Sequence, residues 1–174
     1  MGKITFILGG TRSGKSAYAL GLAKKYRSVA FIATCQALDN EMTRRIKLHK
    51  ASRPKHWETF EESRDVASLL KKMNNKFDCI IIDCLTLLVS NLLLDSESVK
   101  LIESRIEKML ANLKSKNAHA LIVSNEVGLG LVPANKLGRD FRDITGKVNQ
   151  IVAIRADEVF FMASGIPLKL KGGE

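Results

Sequence analysis

Residues 4–16, Ile4-Thr5-Phe6-Ile7-Leu8-Gly9-Gly10-Thr11-Arg12-Ser13-Gly14-Lys15-Ser16, pass from an apolar run directly into the pattern G-x-x-x-x-G-K-[ST]. A strand that ends in a glycine-rich turn and re-enters helix makes a phosphate cradle. Gly9 and Gly14 allow the tight curl, and the backbone N–H groups of Gly10, Thr11, Arg12 and Ser13 can then turn inward toward phosphate oxygens. The positive end of the following helix adds to that field. Lys15 is expected to reach the β- and γ-phosphates and Ser16 to ligate Mg²⁺. Ala17, Leu20, Leu22 and Ala23 continue at helical spacing, so the turn has the strand-to-helix context that the motif requires.

Outward from this turn, short apolar runs alternate with helical patterns, which predicts an α/β domain with a mostly parallel sheet flanked by helices. The expected order is strand Lys3–Leu8, helix Gly14–Tyr26, strand Val29–Ala33 and a loop Thr34–Leu38. A helix capped by Asp39 follows, carrying Met42, Arg45, Ile46 and His49 and ended by Ser52-Arg53-Pro54. Next come a short strand Trp57–Glu61, a helix Asp65–Met73 and the strand Phe77–Asp83, whose unbroken apolar run requires cover on both faces. Helices Leu85–Leu94 and Glu97–Lys116, strand Ala118–Ser124 and the loop Asn125–Ala134 lead to a helix Lys136–Arg155. Its apolar side is read as Leu137, Phe141, Ile144, Val148 and Ile151. Strands Glu158–Ala163 and Leu168–Lys171, joined by Ser164-Gly165-Ile166-Pro167, form a C-terminal β-hairpin.

The chain has 174 residues, 45% of them hydrophobic, enough for one domain over residues 1–174 with a substantial core. No apolar stretch is long enough to span a bilayer, and Met1-Gly2-Lys3 leads straight into a strand, so a cytoplasmic protein is expected. Cys35, Cys79 and Cys84 lack metal-ligand spacing and are expected to be reduced packing residues. The net charge of +10 fits either nucleic acid or a triphosphate pocket, and charge alone does not separate the two. The lysines are dispersed and aromatic residues make up only 6%, which favours a solvated lysine surface and no nucleic-acid partner.

Asp83 ends an apolar strand, the place where open α/β sheets form their ligand crevice. That is the position of a carboxylate that holds Mg²⁺ beside Ser16, a role compatible with capping the next helix. The two motifs leave kinases, ATPases and GTPases all open. Between Asp39 and Glu61, His49 lies among Arg44, Arg45, Lys50 and Arg53. A neutral imidazole there is a competent nucleophile toward phosphorus, and the cations favour a polyphosphate nearby. On residue chemistry alone, a histidine near a helix end serves equally well as a cap or a surface residue.

Taken in order, further blocks accompany the P-loop: Ile32-Ala33-Thr34, Asp39-Asn40-Glu41-Met42, Arg45-Ile46-Lys47-Leu48-His49, Arg53-Pro54 and His56-Trp57. Asn125-Glu126-Val127-Gly128-Leu129-Gly130 with Val132-Pro133, Arg139-Asp140-Phe141-Arg142-Asp143, Gly146-Lys147-Val148-Asn149-Gln150, Ala156-Asp157-Glu158-Val159 and Ser164-Gly165-Ile166-Pro167 complete the series. Over almost its whole length the chain resembles the bifunctional adenosylcobinamide kinase and adenosylcobinamide-phosphate guanylyltransferase family of cobalamin biosynthesis. The resemblance implies a RecA-like P-loop NTPase fold and two reactions on one corrinoid. One phosphorylates the aminopropanol hydroxyl of adenosylcobinamide from a nucleoside triphosphate. The other transfers GMP from GTP to that phosphate, giving adenosylcobinamide-GDP and pyrophosphate.

The family's guanylylated histidine falls on His49. Thr34, Lys50, Ala51, Ser52, Arg53 and Glu61 match nucleotide-contacting positions, with Glu61 suited to base or ribose rather than phosphate. His56 and His119 are left as structural residues. The resemblance also implies GTP and ATP as substrates with Mg²⁺, and a homotrimer.

Overall fold

Isoleucine, valine and phenylalanine at alternating depth build the centre of the molecule. The computed structural model describes residues 2–36, 44, 50 and 53–173. Its strands are β1 (Lys3–Gly9), β2 (Val29–Ala33), β3 (Glu58–Glu61), β4 (Cys79–Asp83), β5 (His119–Val123), β6 (Glu158–Ala163) and β7 (Ile166–Lys171), all in one sheet ordered β3-β2-β4-β5-β1-β6-β7. All neighbours run parallel except β6 and β7. The helices are α1 (Lys15–Ala23), α2 (Val66–Lys72), α3 (Leu85–Leu94), α4 (Val99–Ser115) and α5 (Lys136–Arg155). Arg44 and Lys50 are also helical. Asp39, Met42, Arg45, Ile46 and His49 of the predicted second helix, with Ala51 and Ser52, lie outside the described residues.

Strand parity divides the core. Ile4, Phe6, Leu8, Ala30, Ile32, Ile80, Ile82, Ala120 and Ile122 pack toward α2, α3, α4 and α5. Ile7, Phe31, Ile81, Leu121 and Val123 face the other way, toward α1 and Trp57. Both faces are buried, as continuous apolar strands require. Each fully buried aliphatic side chain contributes roughly 1.5–3 kcal/mol. An exposed ion pair such as Arg64–Asp95 is screened by solvent and adds little beside this. The core therefore decides the architecture. Helix starts follow their caps: Asp65 accepts from Ser68 N–H, Ser98 from Leu101 N–H and Asn135 from Gly138 N–H.

Two readings from sequence need correction. Along α5 Ile144 and Val148 are buried and Phe141 and Ile151 pack partly buried on the core as expected, with Thr145, Asn149 and Val152 added to the buried side, while Leu137 is exposed. Leu137 lies in the first turn, ahead of the stretch of the helix that packs on the core. The hairpin turn is shorter than expected: Ile166 and Pro167 already belong to β7, opposite Ala163 and Met162. Ser164 (φ 50°) and Gly165 (φ 87°) are both left-handed, the backbone of a two-residue turn that suits strand twist. A proline is tolerated because β7 is the outer strand of the sheet.

The thiols of Cys35, Cys79 and Cys84 are all reduced. Burial pushes Cys79 and Cys84 up to about 12, consistent with packing roles. No helix among the described residues is long and apolar enough to cross a membrane. His119 opens β5 and is held at both ring nitrogens. Tyr26 hydroxyl lies 2.6 Å from Nδ1, and Thr5 Oγ1 lies 2.8 Å from Nε2 and donates to Glu158 at 3.0 Å. Thr5 thus accepts from Nε2–H, and Tyr26 donates to Nδ1. Burial, reinforced by Lys3 and Lys25 against Glu158 and Asp157, lowers its pKa to about 4. The unfolded chain binds that proton near 6.5, so between pH 6.5 and 4 the unfolded state takes up more protons and folding weakens as pH falls. Denaturant midpoints measured at pH 7 and pH 5 should fall for the native chain, with a clearly smaller fall in His119→Gln.

Candidate nucleotide site

The register of the sheet aligns the ends of its strands. Glu61 pairs with Ala33, Ala33 with Asp83, Asp83 with Val123 and Val123 with Ile7, so one row crosses from β3 to β1. At about 4.8 Å per strand, Asp83 stands roughly 10 Å from the row position of β1. Residues 10–14 then leave β1 just beyond this row. Asp83 is odd-numbered like Ile81 and Cys79, which belong to the α1 side of the sheet, so strand alternation puts its side chain on the face that carries α1.

The cradle is built against the C-terminal hairpin. A Cβ on Gly9 would lie 2.5 Å from the Met162 carbonyl oxygen, and one on Gly14 (φ 94°) would lie 3.2 Å from Gly165 Cα. Gly165 N–H donates to the Ser13 carbonyl at 3.0 Å, and Glu126 N–H to the Gly9 carbonyl at 2.9 Å. The P-loop is thus gripped by the β6–β7 turn on one side and the loop after β5 on the other. Gly10, Thr11 and Arg12 are exposed at its rim, Arg12 in the left-handed region (φ 58°), while Ser16 is half-buried in the first turn of α1.

Lys15 is only 7% exposed, and its Nζ donates to the Gly10 carbonyl at 2.5 Å. Burial lowers its pKa, opposed by the fields of Cys84 and Asp83. The cation is therefore held inside the loop whose phosphates it is expected to meet.

Thr34 is fully buried. Its Oγ1 donates to the Cys84 carbonyl at 2.7 Å and accepts from Cys84 N–H at 2.8 Å, and Asn91 Nδ2 donates to the Thr34 carbonyl at 2.9 Å. It ties the ends of β2 and β4 and so fixes the peptide that follows Asp83. Lys50 forms an ion pair with Glu61, both exposed. Arg53 stacks on Phe31, its Cζ 3.4 Å from the ring centroid, and its buried Nη1 has no hydrogen-bond partner among the described residues. Burial lowers the Arg53 pKa, while Asp83 and Glu61 raise it. His49, Ala51 and Ser52 lie outside the described residues, between the described Lys50 and Arg53 or just before them.

Sequence reading missed two supports. In the sequence the hairpin tip reads only as a turn, and no local signal tells that Gly165 touches a residue 152 positions earlier. The second is a buried polar set: Ser124 Oγ lies 3.0 Å from Thr86 Oγ1 and donates to Asn149 Oδ1 at 2.8 Å, and Asn125 N–H donates to Thr86 at 2.7 Å. Its trace in the sequence was Asn149 and Thr145 on an otherwise apolar helix face.

A glycine-rich cradle at the end of β1, with a buried lysine and a strand-end aspartate on the same sheet face, defines a P-loop nucleotide-binding protein of RecA-like architecture. Solved structures agree on the fold. A RadB recombinase matches with TM-score 0.52 at 15% identity, covering 91% of this chain and 73% of that one. A KaiC-like protein from Pyrococcus horikoshii matches with TM-score 0.53 at 13% identity, covering 91% and 70%. The model of the family "Cobinamide kinase / cobinamide phosphate guanyltransferase" matches residues 5–170. The chain belongs to that family, and it is an enzyme. The bifunctional adenosylcobalamin biosynthesis protein CobP of Pseudomonas aeruginosa is 44% identical, over 95% of this chain and 96% of that protein. CobU of Salmonella typhimurium is 41% identical, over 95% and 98%, and CobU of Escherichia coli is 38% identical over the same shares.

Removing the buried cation separates folding from binding. Lys15→Met should melt no lower than the native chain, since a desolvated ammonium is exchanged for an apolar side chain of similar length. GTP should raise the native melting temperature and leave that of Lys15→Met unmoved; thermal denaturation with and without GTP reads both effects.

Proposed function

We propose that this chain carries both activities of its family: it phosphorylates the aminopropanol hydroxyl of adenosylcobinamide, then transfers GMP from GTP to the new phosphate through a guanylyl-His49 intermediate. The products are adenosylcobinamide-GDP and pyrophosphate. The observation that carries this reading is the row of strand ends: Asp83 and Glu61, the ion-pair partner of Lys50 beside His49 in sequence, stand level with Ile7, from which β1 runs on into the P-loop. The triphosphate cradle and the histidine-bearing segment thus serve one site at the carboxyl edge of the sheet.

Lys15 would exchange the Gly10 carbonyl for β- and γ-phosphate oxygens. Arg53, with Nη1 still without a partner, suits a phosphate oxygen of a bound nucleotide. Glu61, held by Lys50, suits ribose or base, because a carboxylate repels phosphate. Thr34 acts from behind by fixing the peptide after Asp83. Ser16 and Asp83 fit a Mg²⁺ site, since Mg²⁺ takes one or two protein oxygens and completes its shell with phosphate and water. Among the described residues no group of three or more His, Cys, Asp or Glu forms an all-protein cage. When bound, the ion shares the charge of the triphosphate.

In the transfer half, an imidazole nitrogen of neutral His49 attacks the α-phosphorus. The N–P bond forms as the bond to the bridging oxygen breaks, and pyrophosphate leaves. A phosphate oxygen of the corrinoid then attacks the same phosphorus, and His49 departs as neutral imidazole. Lys50 and Arg53 both follow His49 closely in sequence, and cations beside it favour the deprotonated ring. The phosphorylation half takes ATP or GTP at the same P-loop, and the working enzyme is a cytoplasmic homotrimer.

Intact-protein mass spectrometry after incubation with GTP and Mg²⁺ tests the covalent step. One acid-labile GMP increment is expected, absent in His49→Ala, while His49→Ala retains phosphorylation of adenosylcobinamide. A GMP increment that persists in His49→Ala overturns the assignment.

A further inference from the structure

Ten large apolar side chains are exposed among the described residues, and four of them, Leu129, Leu131, Val132 and Leu137, fall within nine consecutive positions. Leu131 is 95% exposed, Leu129 79% and Val132 66%. They sit on the loop between β5 and α5, which starts at the carboxyl edge of the sheet. The root of that loop is fixed: Glu126 N–H bonds the Gly9 carbonyl, and Asn125 is held by Thr86 and Asn149. Leu129 to Val132 follow Glu126 by three to six residues. At about 3.3 Å per extended residue, they remain within roughly 20 Å of the start of the phosphate cradle.

Charge sets this stretch apart. In a chain with 28 lysines and arginines, residues 118–135 contain none, and Glu126 is the only charged residue of the loop. A triphosphate is drawn to the cationic side of the site. The neutral apolar rim suits an acceptor without anionic groups, broad and largely non-polar, whose hydroxyl must reach the terminal phosphate. Cobinamide, the acceptor in the family's name, is such a molecule: a methyl-rich macrocycle edged with neutral amides.

We propose that Leu129, Leu131 and Val132, with Leu137 behind them, form the surface on which the corrin macrocycle docks, with its hydroxyl-bearing arm directed at the P-loop. The assignment rests on cobinamide as the substrate and is independent of whether His49 is guanylylated. Rigid anchoring at Asn125 and Glu126 holds the apolar tip at a set distance from the triphosphate, which orients the acceptor for transfer.

Titration of cobinamide by its own visible absorbance, in the presence of GDP and without turnover, tests the proposal. Leu131→Asp should weaken corrinoid binding by about tenfold or more, since a carboxylate would be desolvated against the macrocycle. Leu131→Met should bind as the native chain does. Ile154→Asp is the control: Ile154 is 74% exposed on the same helix, about 27 Å from its start, and should bind within about twofold of native. GTP affinity and sedimentation mass should stay unchanged in all three, and His49→Ala should bind corrinoid normally. Native corrinoid affinity in Leu131→Asp overturns the proposal. So does a loss accompanied by a change in sedimentation mass, which would assign the loop to contact between copies of the chain.

Discussion

Parallel pairing of β5 with both β1 and β4 is the constraint on which the rest depends. Because Lys3 and Cys79 both lie opposite His119, the three strands start level, and the ends of β4 and β5 stand level with Ile7, two residues before the end of β1. Only then do the P-loop and Asp83 emerge at the same edge, with one strand between them. A slip of one residue in β4 would turn Asp83 to the face covered by α3 and α4, and would carry Ile80 and Ile82 out of the larger core. Burial on both faces makes that slip expensive. The apolar continuity of Cys79-Ile80-Ile81-Ile82 is therefore what positions the carboxylate.

The polar groups at the carboxyl edge elaborate this frame. Thr34 clamps β2 to the residue after Asp83, and Ser124 joins Thr86 to Asn149 behind the loop that leaves β5. Each is buried and satisfied, so each fixes a strand end at little cost. The hairpin does the same for the P-loop from the other side. Four strand ends and a turn thus hold a cradle that would otherwise be a flexible glycine-rich loop.

Local signals made most of this legible. Val29–Ala33, Leu85–Leu94, Lys136–Arg155 and Glu158–Ala163 follow directly from apolar periodicity and caps, and the P-loop and Asp83 from motif and strand position. What stayed hidden depends on which elements become neighbours. That Leu137 is exposed while Val152 is buried depends on which part of α5 meets the core, and periodicity within the helix contains no such information. The stacking of Arg53 on Phe31 and the contact of Gly165 with Ser13 join residues far apart in sequence. Pro167 reads as a turn residue because nothing local says that its strand is outermost.

The two cations at the edge show how the fold is suited to an anionic ligand. Lys15 and Arg53 are each partly stripped of water, and each has a pKa lowered by that burial. Among the described residues, no carboxylate forms an ion pair with either. Lys15 rests on a backbone carbonyl, and Arg53 on the face of an aromatic ring. Both are neutral partners, weaker than an anion and readily exchanged for one. Had Lys15 paired directly with an acidic side chain, a triphosphate would have to break an ion pair before binding. By leaving each cation on a neutral support, the fold holds in reserve the electrostatic stabilisation that an incoming polyphosphate supplies.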